Sequence, residues 1–483
     1  MKSECADPAS DPDSVTIQGC LKSASIGIPN VVAHPTVEGY ISVRYATASY
    51  HTTSALNMVN VQQEVAPLSH LTPACPLPGS IGMGIGNCYS YWLEQLSNHE
   101  CVEFANDVLS LVREGSPTGY EGPMTSIICD NWPSTQKFSD DICLYIQKHI
   151  KNGAIEGPLP VLGHGYRCSP LGAFEKQPGK VRVVHDLSWP PGRAVNDYIN
   201  KEEYSVRYTT VLEAVQRCSK YNSAWLAKTD LSDAYLYCPI RYEESDILGF
   251  QWYNSDGKPA FFKSVSLILG LRSAPFHFEK IAHGLEFIAK KNGVCQDSCH
   301  YLDDFLMICG NEKDCKKSLD IMIDCAERCG FKIKESKTVG PSQTLEFLGI
   351  TIDTVNKSLY ISEEKLVDVK DELVQWYGRK ECTKRELLSL IGRLQYCSQV
   401  VQYGSMFIRR LIDLSTKVKS LYNKLHLNEQ CRKDINWWIK NIKQNNCKSW
   451  FPKTFNMCTA EILLTDSSGY AAAAVLGTSW TIQ

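Results

Sequence analysis

Residues 299–310 read CHYLDDFLMICG, in which two short apolar arms flank a pair of aspartates, Asp303 and Asp304. Apolar arms of this length on either side of a polar tip predict a β-hairpin with the two carboxylates at its turn. An Asp-Asp pair in a turn is common and is usually solvated. Beside buried arms, however, the pair is costly to hold unless a cation neutralises it. A solvated turn and a metal site therefore both fit this stretch taken alone.

A third aspartate precedes the pair by 73 residues. Asp230 lies in the apolar run WLAKTDL at 225–231, which predicts a short strand. Two-metal phosphoryl-transfer chemistry needs two divalent cations roughly 4 Å apart, and hard cations prefer oxygen ligands. A strand carrying Asp230 beside a hairpin carrying Asp303 and Asp304 would bring three carboxylates together with little flexible chain.

The order of elements around these aspartates predicts an α+β fold. A helix is predicted at 273–293, between the strand and the hairpin, because its apolar residues recur at helical spacing. A second helix is predicted at 311–329, followed by short strands at 331–334 and 344–353. Strand, helix, strand-turn-strand, helix, strand is the order of a split βαβ (ferredoxin-like) sheet with helices on one face.

The two ends of the chain give signals of different strength. Residues 1–137 are rich in Ser, Thr, Pro and Gly and predict a weakly structured leader of unknown function, with one helix at 91–113. A further helix is predicted at 140–151. Towards the carboxyl end the chain turns helical, and Thr383 with Glu386 forms a capping box that predicts a helix start.

Composition describes a globular protein that is predicted to be intracellular, in the cytoplasm, the nucleus or both. The 483 residues predict two to four domains. No run of about 18 apolar residues predicts a membrane span, and no secretion signal opens the chain. The 21 cysteines are therefore predicted to be reduced. The net charge is −3, but residues 161–483 hold 43 Lys+Arg against 37 Asp+Glu, so the basic excess lies with the motifs.

Five ordered stretches resemble the motifs of reverse transcriptases. YLDD (301–304) resembles their motif C, KTDLSDAYLYCPI (228–240) their motif A, and LILGLRSAPFHFEK (267–280) the motif B box usually written LPFGLxxAPxxF. SPLGAFEKQPGKVRVVHDLSWPPGRAVNDYI (169–199) is similar to the fingers segment, and EFLGI (346–350) to the primer-grip strand. Any one match alone is weak, whereas five in order over about 190 residues identify a strong resemblance.

The resemblance implies a set of metal ligands and catalytic groups. Asp230, Asp303 and Asp304, helped by the backbone carbonyl of Leu231, would bind two Mg²⁺ or Mn²⁺ ions. Lys337, in KESKTVG, matches the motif D lysine that could protonate pyrophosphate.

The resemblance also implies residues that contact substrate. The residues that would contact the incoming nucleotide are Lys176 and Arg182 at the triphosphate, Tyr235 as the gate against a 2′-hydroxyl, and Leu269 and Gly270 of motif B. The residues that would hold the primer end are Phe347, Leu348 and Gly349. Without the resemblance, Lys176 and Arg182 would each be interpreted as a surface residue, and Tyr235 as a core tyrosine.

Motif B departs from the family pattern. Ile268 and Leu269 stand where Pro and Phe or Gln usually precede Gly270. The departure puts efficiency and fidelity in question and leaves the metal chemistry untouched. LSWPPGRAVNDYI and LLSLIGRLQYCSQVVQYGSMFIRRLIDL resemble the DIRS class of tyrosine-recombinase retrotransposons more than the gypsy class.

The last residues resemble the opening of a ribonuclease H domain. LLTDSSGYAAAAVLGTSW carries Asp466 where such a domain has its first metal carboxylate, and only 17 residues follow it. We expect a domain truncated here, without ribonuclease H activity, because two-metal RNA cleavage requires further carboxylates.

Together these features predict a right-hand polymerase. Fingers and palm are expected at 138–352, a helical thumb and connection at 353–458, and the start of a ribonuclease H-like domain at 459–483. The implied function is RNA-directed DNA polymerase of a retrotransposon, with an RNA or DNA template, a DNA primer and dNTPs as partners and no membrane. The alternatives are a catalytically decayed or domesticated nucleic-acid-binding descendant, a metal-dependent nuclease, and a capsid-like role for the leader. Oligomeric state, priming mechanism and fidelity stay open.

Overall fold

The computed structural model describes residues 84–254 and 256–449, and the backbone of three strands within 463–482. The predicted leader at 1–83 lies outside the described residues. Within the described part the helices are α1 (Tyr89–Leu96), α2 (Val102–Arg113), α3 (Ser134–Lys137), α4 (Ser139–Lys151), α5 (Val211–Cys218), α6 (Ala274–Lys291), α7 (Glu312–Arg328), α8 (Glu363–Gly378), α9 (Lys384–Cys397), α10 (Arg409–Thr416) and α11 (Glu429–Asn441).

The strands of the described part are β1 (Ile127–Ile128), β2 (Ile155–Glu156), β3 (Arg167–Cys168), β4 (Leu171–Gln177), β5 (Lys180–His185), β6 (Trp225–Asp230), β7 (Gly249–Tyr253), β8 (Pro259–Ser264), β9 (Cys299–Tyr301), β10 (Asp304–Cys309), β11 (Val339–Ser342), β12 (Thr344–Phe347), β13 (Ile350–Asp353), β14 (Ser358–Tyr360), β15 (Glu381–Thr383), β16 (Lys424–His426), β17 (Lys448–Ser449), β18 (Leu463–Ser467), β19 (Ala472–Leu476) and β20 (Ser479–Ile482).

The central sheet has the predicted split βαβ topology. Its strand order is β11-β6-β10-β9, and every neighbouring pair is antiparallel. Along the chain these strands alternate with α6 and α7 in the order β6-α6-β9-β10-α7-β11. The prediction of a ferredoxin-like palm is therefore confirmed at the level of topology.

The central strand β10 is buried on both faces, which explains why it is apolar after Asp304. On β10, Phe305 and Met307 pack in the cluster that holds the apolar faces of α6 and α7. Leu306 and Ile308 point the other way, into the cluster formed by α5 and the carboxyl-terminal helices. Successive side chains of a strand alternate between faces, so a strand buried on both sides needs an unbroken apolar run.

The expectation of a weakly structured leader is wrong for residues 84–137. Helices α1 and α2 pack against α6, and the Trp92 side chain is fully buried in the palm core. Its indole Nε1 donates a hydrogen bond to the Cys329 carbonyl at 3.0 Å. Gly284 permits the close approach, since a Cβ there would lie 3.0 Å from a methyl of Val108. The predicted single helix at 91–113 is two helices, separated at 97–101.

The segment predicted to form the fingers has its own small core. The strands β1, β3, β7, β8 and β2 form one sheet, and β4 with β5 forms a separate hairpin. Helix α4, close to its predicted bounds, contributes Ile142 and Ile146 to a cluster with Phe250 and Phe262. This arrangement sets the β4–β5 hairpin apart from the palm sheet.

Beyond the palm, a small sheet and four helices share one core. The sheet order is β12-β13-β14-β17, and α8 to α11 cover it with buried side chains that include Leu390 and Trp438. The capping box is confirmed, since the Thr383 side chain accepts from the Glu386 amide and Glu386 reaches back to the Thr383 amide. The predicted strand at 331–334 is wrong: only an isolated bridge between Leu231 and Ile333 forms there.

The last strands form an antiparallel three-stranded sheet in the order β18-β19-β20. Asp466 lies on β18 with Ala473 as its backbone partner, and its side chain is outside the described part. The assignment to a ribonuclease H-like domain stays a prediction. Among the helices that the structure describes, none is long and apolar enough to cross a membrane. The seventeen cysteines of the described residues are free thiols.

Candidate active site

The palm sheet brings the three predicted aspartates together. Asp230 at the end of β6 and Asp304 at the start of β10 are direct cross-strand partners, and Asp303 stands in the adjoining turn. The Leu231 amide donates to the Asp303 carbonyl at 3.0 Å, and the Lys334 amide donates to the Asp230 carbonyl at 2.8 Å. Backbone hydrogen bonds between three separate segments therefore fix the backbone positions from which the carboxylate side chains extend.

The turn that presents Asp303 is a tight one. Tyr301 pairs with Asp304, so only Leu302 and Asp303 connect β9 to β10. Leu302 has a φ of 53°, in the left-handed region, which costs a residue with a Cβ about 1–2 kcal/mol. Its side chain packs against the palm core, and this contact helps to hold the strained backbone at the tip.

The carboxylates repel one another at a partly buried site. Burial raises the pKa of Asp304 to about 6, helped by its hydrogen bond to Asp230 and by the charges of Asp303 and Asp230. The pKa of Asp303 is also raised, first by burial and then by the charge of Asp230. Raised values of this kind mean that nearby positive charge is insufficient for three ionised carboxylates. The arrangement favours binding of a cation.

Lys337 is the cation that the protein itself supplies. It ends the 3-10 turn Glu335–Lys337, and its Nζ forms an ion pair with Oδ2 of Asp230. Burial would lower the pKa of Lys337, but the hydrogen bond to Asp230 and the neighbouring carboxylates raise it overall. The predicted motif D lysine therefore lies with the triad, and its single charge leaves three carboxylates under-compensated.

The donor set fits divalent cations of the Mg²⁺ type. Three carboxylates converge, and the Leu231 carbonyl receives no backbone hydrogen bond from the part of the chain described here. Oxygen ligands from carboxylate and backbone carbonyl groups are those that hard cations prefer. Asp230, Asp303, Asp304 and Leu231 are therefore the residues that would hold the metal.

Tyr235 lies beside the triad. It belongs to the 3-10 turn Ala234–Tyr237 that follows β6, is half-buried, and stacks on Phe278 with ring centroids 4.6 Å apart. Burial raises the pKa of its hydroxyl well above the ordinary value, and the neighbouring charges of Tyr208 and Asp303 raise it further. The stack fixes the ring plane next to Asp303, where a gate residue would stand.

Lys176 and Arg182 are not brought into contact with the triad. Both are exposed on the β4–β5 hairpin, and Lys176 is the extra residue at an irregularity of the pairing between Glu175 and Gln177. Among the described residues neither side chain makes a hydrogen bond or an ion pair. Two exposed cations without partners can accept an anionic ligand, but this structure leaves their role a prediction.

The motif B segment is held by a residue that the sequence reasoning did not single out. The buried Asn196 side chain donates to the Gly270 carbonyl at 2.8 Å and accepts from the Arg272 amide at 2.9 Å. Gly270 has a φ of 109°, and a Cβ there would lie 2.9 Å from the His185 carbonyl. Leu269 next to it is 53% exposed. The signal in the sequence for this role is an asparagine that closely follows a stretch rich in Gly and Pro.

The predicted primer contact is a two-residue turn between β12 and β13. Leu348 and Gly349 both have positive φ, 50° and 81°. Tyr396 donates to the Leu348 carbonyl at 3.4 Å, and Lys365 donates to the Gly349 carbonyl at 3.3 Å, so helices α8 and α9 hold the turn. The Phe347 side chain is buried at 1% exposure. The Phe347 side chain therefore does not contact a primer directly.

Known proteins that resemble this chain are reverse transcriptases and viral polyproteins. Residues 174–352 match the family model described as reverse transcriptase (RNA-dependent DNA polymerase). The Gag-Pol polyprotein of Rous sarcoma virus subgroup C (strain Prague) is 23% identical over 285 residues, 58% of this chain and 16% of that protein. Gag-Pol of avian leukosis virus subgroup A (isolate RSA) is 22% identical over 284 residues, with the same shares. The chain thus spans about a sixth of the length of these curated relatives.

Solved structures show the same fold. The foamy viral protease-reverse transcriptase in complex with an RNA/DNA hybrid superposes with a TM-score of 0.54 at 15% identity, covering 85% of this chain and 53% of that one. The same protein in complex with dsDNA gives 0.53 at 16% identity, covering 84% and 82%. The family match includes the strands that bear all three aspartates, and the fold is that of a right-hand polymerase. Residues 174–352 therefore resemble a reverse transcriptase domain in sequence and share its fold.

Proposed function

We propose that this chain is an RNA-directed DNA polymerase that extends a DNA primer by nucleotidyl transfer from dNTPs. The observation that carries the proposal is the cross-strand pairing of Asp230 with Asp304, next to Asp303 in a two-residue turn. Strands paired in this register place the side chains of Asp230 and Asp304 opposite each other on one face of the sheet, next to Asp303 in the turn. The raised pKa of Asp304, caused mainly by burial, indicates a need for external positive charge.

The metal ligands would be Asp230, Asp303, Asp304 and the Leu231 carbonyl. Two Mg²⁺ ions bound there, or Mn²⁺ in their place, would supply activation of the primer 3′-hydroxyl and stabilisation of charge on the leaving pyrophosphate. The protein's part is to hold the carboxylates rigidly on adjacent strands. Lys337 keeps a proton at Nζ beside Asp230 and is the group that could donate it to pyrophosphate.

The substrate contacts would come from elements on different sides of the triad. The Tyr235 ring, fixed by its stack on Phe278, would exclude a ribose 2′-hydroxyl. Lys176 and Arg182, exposed and without partners in the described part, would neutralise the triphosphate. The turn at Leu348 and Gly349 would hold the primer end. The foamy viral protein was solved with an RNA/DNA hybrid, which supports a hybrid duplex as the partner here.

Primer extension with the purified chain tests the proposal. A labelled DNA primer on an RNA template, with dNTPs and Mg²⁺, should be extended, and removing the metal with a chelator should stop extension. Asp303→Asn should lose extension, because it removes one metal ligand while keeping the side-chain shape. Asp320→Asn is the matched control, since Asp320 is an exposed residue of α7 that pairs with Lys316.

The outcomes separate the alternatives. Binding of the hybrid without extension would support a catalytically decayed descendant, although no observation in the structure favours it. Degradation of the template in place of extension would support a metal-dependent nuclease. A DNA template in a parallel reaction shows whether both templates are accepted. Extension that survives Asp303→Asn would overturn the assignment of the triad.

We also propose a DIRS-class retrotransposon as the source of the chain, acting inside the cell. The support is the likeness of LSWPPGRAVNDYI and of the α9–α10 region to that class. Sequencing the DNA next to this reading frame tests it. A tyrosine recombinase gene would support the DIRS class, and an integrase gene would support the gypsy class.

A further inference from the structure

A second group of titratable side chains lies on the palm, just before the aspartates on the same hairpin. Glu279 and His283 stand one turn apart on α6, so they share a helix face, and His300 faces them from β9. The Nε2 atoms of His300 and His283 lie 3.4 Å and 3.6 Å from the same oxygen, Oε1 of Glu279. The two imidazole centroids are 4.6 Å apart.

These separations have the size of a zinc coordination polyhedron. Zinc takes imidazole nitrogen and carboxylate oxygen at about 2.0–2.1 Å in a tetrahedron, whose corners are then about 3.3 Å apart. The two measured edges are within a few tenths of an ångström of that value. One ligand atom from each of Glu279, His283 and His300 lies within 4.8 Å of the other two. Little movement would therefore be needed to enclose an ion.

Two polar atoms of the group are buried without a hydrogen-bond partner. They are Nε2 of His300, whose side chain is 1% exposed, and Oε2 of Glu279, whose side chain is 8% exposed. Buried polar atoms in native structures are nearly always paired. A carboxylate oxygen and an imidazole nitrogen are both atoms that bind zinc, and a bound ion would give each of these buried atoms a partner.

The surroundings of His300 resemble the outer shell of a zinc site. Its other ring nitrogen, Nδ1, contacts Oε2 of Glu286, and Lys290 pairs with Oε1 of the same carboxylate at 2.5 Å. Histidines that bind metal usually donate their second N–H to a carboxylate, which fixes the tautomer and leaves Nε2 free to coordinate. Glu286 would serve in this way here. His283 is 54% exposed and provides the entry path.

We propose that Glu279, His283 and His300 bind one zinc ion, with the fourth coordination position open to solvent. The ion ties helix α6 to strand β9, three residues before Asp303, and so fixes the base of the hairpin that carries the catalytic aspartates. This site is distinct from the Asp230–Asp303–Asp304 site, because its ligands are nitrogen-rich. It stands whether or not the chain polymerises DNA.

Zinc stoichiometry tests the proposal. The full chain is treated with chelator, dialysed, and equilibrated with zinc in excess Mg²⁺, which keeps the aspartates occupied, and bound zinc is measured. His283→Ala should bind one equivalent less than the parent chain. His426→Ala, at another exposed histidine on β16, should bind as much as the parent. All cysteines are retained in every variant, so zinc on thiols cancels in the difference. Equal zinc in parent and His283→Ala would overturn the proposal.

Two further measurements keep the test independent of enzyme activity. Added zinc should raise the Tm of the parent and of His426→Ala but leave that of His283→Ala unchanged. Co²⁺ in place of zinc should give the visible absorption of a tetrahedral site in the parent, and His283→Ala should lose it. A parent without a Tm shift or a cobalt spectrum shows only a His300–carboxylate network, which contradicts the proposal. Because His283 is half-exposed, its removal should not prevent folding.

Discussion

Two charged clusters lie at opposite ends of the β9–β10 hairpin. Both contain buried carboxylates, but the two clusters differ in how far positive charge compensates them. At the tip, Asp303 and Asp304 face Asp230, and burial with mutual repulsion raises the pKa of Asp304 to about 6. At the base, burial alone would raise the pKa of Glu286, but the hydrogen bond from His300 and the charge of Lys290 lower it to about 2. Without zinc, His300 and Lys290 compensate the carboxylates of the base cluster. At the tip, Lys337 alone leaves three carboxylates under-compensated.

The difference separates a site whose carboxylates need external charge from one whose carboxylates the protein itself compensates when zinc is absent. Carboxylates kept together without full compensation make the folded protein less stable, and such residues cluster where function requires them. Removing either partner of a compensated buried ion pair destabilises the folded protein. Removing a carboxylate should therefore have opposite effects on stability at the two ends of one hairpin.

The largest effect is expected on catalysis at the tip. Asp230→Asn should lower the rate of primer extension by at least about 10³-fold, because it removes a metal ligand and the partner of Lys337 together. Single-turnover extension at saturating Mg²⁺ measures the chemical step. Asp324→Asn, an exposed residue of α7 paired with Arg328, serves as the control. A loss smaller than tenfold would show that Asp230 does not bind the metal.

At the base, removal of a carboxylate should destabilise the protein. Glu286→Ala leaves His300 with its charge buried and only Glu279 beside it, so the free energy of unfolding should fall by about 3–5 kcal/mol. Urea unfolding of chelator-treated protein measures it. Glu327→Ala, at an exposed glutamate of α7, should change stability by less than about 0.5 kcal/mol. An equal, small effect of both variants would remove the contrast between tip and base.

The base cluster should also give the protein a pH dependence in an alkaline window. Burial lowers the pKa of His300, but Glu279 and Glu286 raise it to about 9 overall, against about 6.5 in an unfolded chain. Its stabilising contribution is therefore complete below pH 6.5 and is lost as the pH rises to 9. Without zinc, stability should fall by up to about 3 kcal/mol over that range. Glu286→Ala should flatten the dependence, and an unchanged slope in that variant would exclude His300 as its source.

The tip could be predicted from sequence because its geometry is local. Two residues connect β9 to β10, so Asp303 and Asp304 can only stand at the turn, and the apolar run ending in Asp230 could be read as a buried neighbouring strand. The pairing of Asp230 with Asp304 itself required the family resemblance, because residue spacing does not fix which strands are neighbours.

The base could not be predicted in this way. Glu279 and His283 are an ordinary helical pair, and only the fold places His300, from a different strand, against them. The same limit explains the error over 84–137: Trp92 and Val108 are core residues only because α6 covers them. The stretch 331–334 alternates like a strand, but the palm sheet takes its fourth strand from β11.

The last prediction has the smallest expected effect but is the most direct test of the comparison between tip and base. Replacing a partly buried charged residue usually lowers the stability of the folded protein, whereas here we expect it to raise that stability. The pKa of Asp304 is about 6 in the folded protein and about 3.9 in an unfolded chain. Protonation therefore favours the folded state, and metal-free stability falls as the pH rises from about 4 to 6 and stays low above that. Asp304→Asn carries no charge and can still hydrogen-bond to Asp230. At pH 8 in chelator it should be more stable than the parent by about 1 kcal/mol, after allowance for partial exposure. The gain should shrink strongly near pH 4, where the parent carboxyl is protonated in the folded state and about half protonated in the unfolded chain. Urea unfolding at the two pH values measures this. A variant that is less stable than the parent at pH 8 would mean that Lys337 already compensates the triad, and tip and base would then be alike.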